Sequence, residues 1–163
     1  MLRRLLGSLL LASTVQTASA QELVTHVFGA NLFTIQLPKE WTLDPKQKHF
    51  SASSPDGRVA LTATAYSKKD GSLIDFSSYR FTSVHEWYKP VNSIKKFKAG
   101  AVNGVYWEFE GIWPGEPTPT YYVVACIDLG NAYASVTFTT DRSDFAANRI
   151  RYVQILLSVQ PGS

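Results

Sequence analysis

The run YYVVACID, Tyr121 to Asp128, carries apolar side chains at odd and even positions alike. Successive side chains of a strand point to opposite faces. A strand of this kind is therefore central and covered on both sides. Its sequence neighbours are built differently. Val105, Trp107 and Phe109 share one face, while Tyr106, Glu108 and Glu110 share the other. After the tight turn LGNA, Leu129 to Ala132, the residues Ala134, Val136 and Phe138 alternate with Ser135, Thr137 and Thr139. These three segments read as a meander.

The rest of the chain supplies further strands and the covering layers. Leu32 to Leu37 alternates, with Phe33, Ile35 and Leu37 on one side, and ends at Pro38. Lys48 to Ser54 and Arg58 to Tyr66 alternate on either side of SPDG, Ser54 to Gly57, a turn by its Pro and Asp-Gly chemistry. Together they predict a hairpin. Asp75 to Tyr88 fits a helix through Phe81, Val84 and Tyr88, and Pro90 closes it. Ser143 to Ser158 reads as a second helix, capped by Asp141 or Ser143. Ala146, Ile150, Val153 and Leu157 form its expected buried stripe, with Arg149 and Arg151 off it. The order is strands, helix, meander, helix. It predicts an α+β fold, an antiparallel β-sheet with helices packed on it.

The first twenty residues have the layout of a secretory signal peptide. Met1-Leu2-Arg3-Arg4 is a basic start, Leu5 to Val15 is mostly apolar, and Ala18-Ser19-Ala20 is a small-x-small cleavage site before Gln21. The apolar run is about half of the ~20 residues that a stable span needs. The expectation is a signal peptide over residues 1–20, a single domain over 21–163, and no transmembrane segment in the mature chain. The formal charge of +3 includes Arg3 and Arg4, so the mature part is close to neutral and gives no case for nucleic acid. Cys126 is the one cysteine, so no disulfide forms within the chain and packing must stabilise the fold.

The pattern resembles a known family. FTIQLPKEWTL opens a strand and ends in Pro-x-x-Trp, and the hairpin HFSASSPDGRVALTATA follows. The close is YASVTFTTDRSDFAANRIRYVQILLSV, a strand feeding a helix. With the mid-chain helix and the meander, this resembles the PsbP/DcrB-like α/β/α sandwich, which covers bacterial periplasmic proteins and the extrinsic photosystem II protein. The resemblance implies a non-enzymatic accessory or binding scaffold and no catalytic residues to carry over.

A search for chemistry agrees with that implication. His26, His49 and His85 lie far apart, and HEWY lacks the second His of a zinc helix motif. No phosphate loop and no Gly-x-Ser-x-Gly elbow is present. Cys126 in mid-strand reads as a small buried hydrophobe. Glu108 and Glu110 share a strand face, and the expectation is that both meet solvent or a ledge beneath a helix. No cofactor and no metal is implied.

Two surfaces compete as binding sites. Pro114, Pro117 and Pro119 with Gly115 forbid regular structure between Ile112, Trp113, Tyr121 and Tyr122. Trp113, Pro114 and Tyr121 would form a rigid, ring-flanked lip, against the plainer reading of a hairpin loop that shields the core edge. Trp107 and Phe109, by contrast, are core residues. The rival surface is the basic stretch of Lys89, Lys95, Lys96 and Lys98, which would suit an acidic partner or anionic lipid. Its plainer reading is a solvated strand edge. The functional expectation is an exported, periplasmic, non-enzymatic domain that binds a protein partner or a small ligand. The alternatives are an immunity or chaperone-like protein for a secreted effector, and a hydrolase with an unrecognised acidic site.

Overall fold

The computed structural model describes residues 22–28, 32–46, 49–68, 71–82, 88–112 and 117–162. The expected signal peptide lies outside them, as do Val84 and His85.

The large sheet is antiparallel throughout. It contains β3 (Thr42–Lys46), β4 (His49–Ser53), β5 (Ala60–Ser67), β6 (Tyr88–Pro90), β7 (Lys95–Ala99), β8 (Val102–Gly111), β9 (Thr120–Asp128) and β10 (Ala132–Thr140). Their spatial order is β3-β4-β5-β10-β9-β8-β6, with β7 also paired to β8. A small sheet, ordered β1-β2-β11, is made of β1 (Leu23–Phe28), β2 (Phe33–Pro38) and β11 (Gln160–Pro161). Helix α1 (Leu73–Thr82) lies on one face of the large sheet. Helix α2 (Arg142–Leu157) and β2 cover the other.

The two-sided strand organises both cores, as its composition requires. From β9, Val123, Ala125 and Ile127 join Leu61, Val136, Phe138, Ile35, Ile155 and Leu156 in the larger cluster. Val124 and Cys126 turn the other way, to Phe81, Tyr88, Val105 and Phe109. The meander of β8, β9 and β10 and the hairpin of β4 and β5 match the sequence reading. The short outer strands β1, β3, β6, β7 and β11 do not appear in it. Five residues or so of strand at a sheet margin carry too little alternation to stand out.

Both helices need correction. Helix α1 begins at Leu73, ahead of the expected Asp75, and does not include Tyr88, which with Pro90 belongs to β6; residues 83–87 lie outside the described ones. Pro90 forces the residue before it toward extended backbone, and the Tyr88 ring stacks on Tyr122 at 5.1 Å instead of continuing a helical stripe. The start of α1 is a reciprocal capping box. The Asp75 carboxylate accepts from the Ser72 N–H at 2.8 Å, and the Ser72 hydroxyl accepts from the Asp75 N–H at 3.3 Å.

Helix α2 is capped by Asp141, whose carboxylate accepts from the Asp144 N–H at 2.7 Å. Its buried face is not the expected one. Ile150 is 78% exposed, and Phe145, Tyr152, Ile155 and Leu156 face the sheet. Two stripes at spacings of three and four run along this helix, and the aromatic one has more area to bury. Phe145 stacks on Tyr121 at 4.4 Å, and Tyr152 packs on Phe138 at 5.3 Å.

The β7–β8 pair contains a tight fit. Gly104 lies directly opposite Phe97, and a Cβ on Gly104 would overlap the Phe97 ring. The ring covers the strand where glycine offers no side chain. Gly104→Ala is expected to push Phe97 off β8 and cost about 1–3 kcal/mol, read as a lower urea midpoint. An unchanged midpoint would show that Phe97 does not need that site.

Candidate functional site

An aromatic cleft of about 560 Å³ opens between α1 and the β5–β10 pair. Its floor follows from sheet register, which sets Tyr66 opposite Tyr133 on the α1 side. Between β5 and α1, Gly71 adopts a φ of 147°, open to glycine and strained for other residues. Its carbonyl accepts from the Tyr133 hydroxyl at 2.8 Å and so fixes the ring. Phe76, one turn into α1, wedges between the floor rings. It lies 4.9 Å from Tyr133, nearly parallel at 11°, and 5.1 Å from Tyr66. Tyr79, also on α1, borders the cleft and is 71% exposed.

Beside this cleft Lys68 is ion-paired within the protein, whereas the Asp75 carboxylate that lines it is bonded to the neutral Ser72. The Lys68 ammonium donates to both Asp128 oxygens at 2.8 and 2.9 Å and lies 5.0 Å over the Tyr133 ring. Burial pushes the Asp128 carboxyl up, but Lys68 and the Gly130 N–H outweigh burial and hold it below the ordinary carboxylate range. The Arg80 guanidinium sits 5.4 Å over Tyr66. Asp75 is held low by the Ser72 N–H and then by the Ser72 hydroxyl.

Strand alternation breaks up the surfaces expected from sequence. Lys95, Lys96 and Lys98 lie on β7, but Lys95 points to the α2 side and Lys96 and Lys98 to the other. Lys95 is half-buried, donates to Glu108 at 3.4 Å and lies 5.5 Å over the Tyr106 ring. Lys96 and Lys98 are exposed. On the ring-flanked loop, Trp113 and Pro114 lie outside the described residues. Tyr121 belongs to β9 and is buried against Phe145, so its ring does not form part of a lip.

For Glu108 the sequence allows two settings, solvent or a ledge beneath a helix. It is 3% exposed, so it does not meet solvent, and of the two expected settings it takes the one beneath a helix, with Arg149 of α2 against it. Its carboxylate accepts from the Tyr121 hydroxyl at 2.7 Å, the Asn92 amide at 2.6 Å, and Lys95 and Arg149 at 3.4 Å each. The Asn92 carbonyl in turn accepts from the Trp107 indole N–H. Burial pushes the Glu108 carboxyl up, but Tyr121, Lys95 and Asn92 together hold it below its ordinary value. Burial and the Glu108 carboxylate keep the Tyr121 hydroxyl protonated. Glu110 lies apart from this cluster, 3.2 Å from Arg142. The result is a polar staple joining α2, the β6–β7 connection and the sheet. A general acid or base must be able to reach a substrate, and every Glu108 contact here is internal.

Cys126 is fully buried, and burial pushes its thiol up to about 12, which withholds the thiolate that nucleophilic chemistry requires. Among the described residues no group of three His, Cys, Asp or Glu could hold a metal ion. No helix among them is long and apolar enough to cross a membrane.

The sequence reading missed the cleft. Tyr66 and Tyr133 lie on strands that it identified, but their pairing depends on β5 meeting β10, strands separated in the chain by α1 and four other strands. Phe76 and Tyr79 are three apart on α1, a spacing hidden by the expectation of a different stripe.

No family model matches the sequence, and no curated protein matches it. Solved structures do. A cyanobacterial PsbP, CyanoP from Synechocystis sp. PCC 6803, superposes with a TM-score of 0.67 at 10% identity, over 93% of this chain and 98% of that one. The Pseudomonas aeruginosa protein PA94, described as of unknown function and a putative regulator, gives 0.57 at 13% identity, over 86% and 98%. LpqN of Mycobacterium tuberculosis, described as involved in cell envelope biogenesis, gives 0.57 at 8% identity, over 88% and 92%. With a helix on each face of a large antiparallel sheet and this cover at both ends, the chain has the PsbP-like α+β fold.

Proposed function

We propose that this chain is an exported, non-enzymatic accessory domain that binds through the cleft beside α1. The observation that carries the reading is the composition of that cleft: four rings and the Asp75 carboxylate, which is hydrogen-bonded to Ser72. Recognition sites are mostly apolar and aromatic with a few polar groups. The fold likeness to CyanoP and LpqN supports an accessory role, and the leader-like first twenty residues support export. The enclosure of Glu108 by its own staple and the pairing of Glu110 with Arg142 weigh against the hydrolase alternative.

The test uses the full chain expressed in its native host. Mass spectrometry of the mature protein should find Gln21 as the first residue. Cross-linking in the cell envelope should trap a partner with the parent protein and lose it with Tyr79→Ala. Alanine is a good helix former, so the exposed face of α1 tolerates it. An uncleaved Met1 would overturn export, and equal trapping by the variant would overturn the cleft as the contact.

A further inference from the structure

Resting on the cleft as a binding site, we infer that its ligand is a small organic cation carrying an alkylated ammonium group. Such a group needs a carboxylate beside open ring faces, and the cleft has both. Among the described residues, Asp75 is the one charged group in its lining. The hydrogen-bond partner of Asp75 is the neutral Ser72, so its charge has no countercharge. Both Ser72 bonds end on Oδ2 and help to keep the carboxyl ionised at neutral pH. Asp75 and Tyr79 are four apart on α1, which sets carboxylate and ring side by side. Tyr79 is mostly exposed, and an open ring face attracts a cation through its quadrupole.

The floor rings already behave in this way. Lys68 lies over Tyr133 and Arg80 over Tyr66. Neither cation lines the cleft, and Lys68 is neutralised by Asp128, so Asp75 sets the sign of the charge inside. An anion meets that carboxylate. It also finds the Ser72 and Asp75 N–H groups at the start of α1 taken by the capping box. A bare ammonium has three donors and firmly held water, and walls made mostly of rings return few acceptors. Alkyl groups on the nitrogen remove those donors and bury against Phe76 and Tyr79. The volume of about 560 Å³ suits a small molecule. The walls are fixed before it arrives, since Phe76 is wedged between Tyr66 and Tyr133 and the Tyr133 hydroxyl is tied to Gly71. A preformed site loses little entropy on binding.

The test titrates the full chain with choline and with 3,3-dimethyl-1-butanol, an uncharged analogue of the same shape with carbon in place of nitrogen. Both are run at one ionic strength, and the ring resonances of the cleft are followed by NMR. Choline should bind saturably and about fivefold more tightly than the alcohol. Asp75→Asn keeps the shape and an acceptor for Ser72 but removes the charge. It should weaken choline about threefold and leave the alcohol unchanged. Tyr79→Ala should weaken choline about fivefold with an unchanged melting temperature. Ile150→Ala, which trims an exposed apolar residue on the outer side of α2, should change nothing. No saturable binding of choline, an alcohol that binds as tightly, or a preference for choline undiminished in Asp75→Asn would each overturn the inference. If cross-linking to a partner depends on Tyr79 while choline binds no better than the alcohol, the ligand class is wrong and the cleft as a contact stands. If choline binds as expected and trapping is indifferent to Tyr79, the inference stands and the partner reading falls.

Discussion

Glu108→Ala is expected to destabilise the fold by about 3–5 kcal/mol, the cost of breaking a buried charged network from one side. The Tyr121 hydroxyl and the Asn92 amide lose their acceptor in a dry setting, and Lys95 and Arg149 lose the charge that they flank. Glu108→Gln keeps the shape and one acceptor and should cost less, about 1.5–3 kcal/mol. Their pH dependence separates charge from packing. The folded Glu108 carboxyl titrates below its ordinary value of 4.5. Its charge therefore adds stability above that value, and the contribution fades as the pH falls through the folded-state value. Asp56, Asp75, Asp128 and Asp141 are also held low, so acid weakens the parent and the Gln variant alike. Their effects cancel in the difference. The gap between parent and Glu108→Gln should be widest near neutral pH and close on acidification below 4.5. A gap that stays constant into acid would show that the carboxylate charge is not what holds the staple.

The staple shows why the site was harder to read from sequence than the fold. A two-sided apolar strand such as Tyr121 to Asp128 declares its surroundings locally, because both faces must be covered wherever it lies. Glu108 declares nothing of the kind. A carboxylate between Trp107 and Phe109 reads as the polar side of an alternating strand, and only the arrival of α2 and the β6–β7 connection encloses it. The four partners of Glu108 come from positions 92, 95, 121 and 149, and no local pattern links these.

Helix α2 illustrates a different limit. Its span and its Asp141 cap were legible, because caps and ends are written in adjacent residues. Its buried side was not, because two stripes had the same period. Phe145 and Tyr152 prevail over Ala146 and Ile150 since rings release more apolar area from water. The lysine stretch shows the opposite limit. A charge run looks like one surface in sequence, but on a strand its members alternate, and Lys95 leaves Lys96 and Lys98 to join Glu108.

Phe109→Ala and Trp107→Ala should differ in cost although the residues share a strand face. Phe109 is fully buried and packs 4.9 Å from Trp107 and 6.2 Å from Phe81. Truncating it leaves a void in the core beneath α1, and the expected loss is about 3–5 kcal/mol. Trp107 is half-buried at the margin of that core, edge-on to Phe81 at 5.1 Å. Solvent already reaches part of its ring, so less area returns to water, and the loss should be about 2 kcal/mol. The contrast is measurable in denaturant melts, where both variants should lower the midpoint without changing the slope. Equal losses would mean that the Trp107 bond to Asn92 contributes as much as full burial does for Phe109. The double variant separates these causes. The two rings touch, so their effects should fall short of additive by about 0.5–1.5 kcal/mol. Trp107→Phe removes the indole donor and keeps a ring against Phe81 and Phe109. If packing governs this margin, it should recover most of what alanine loses.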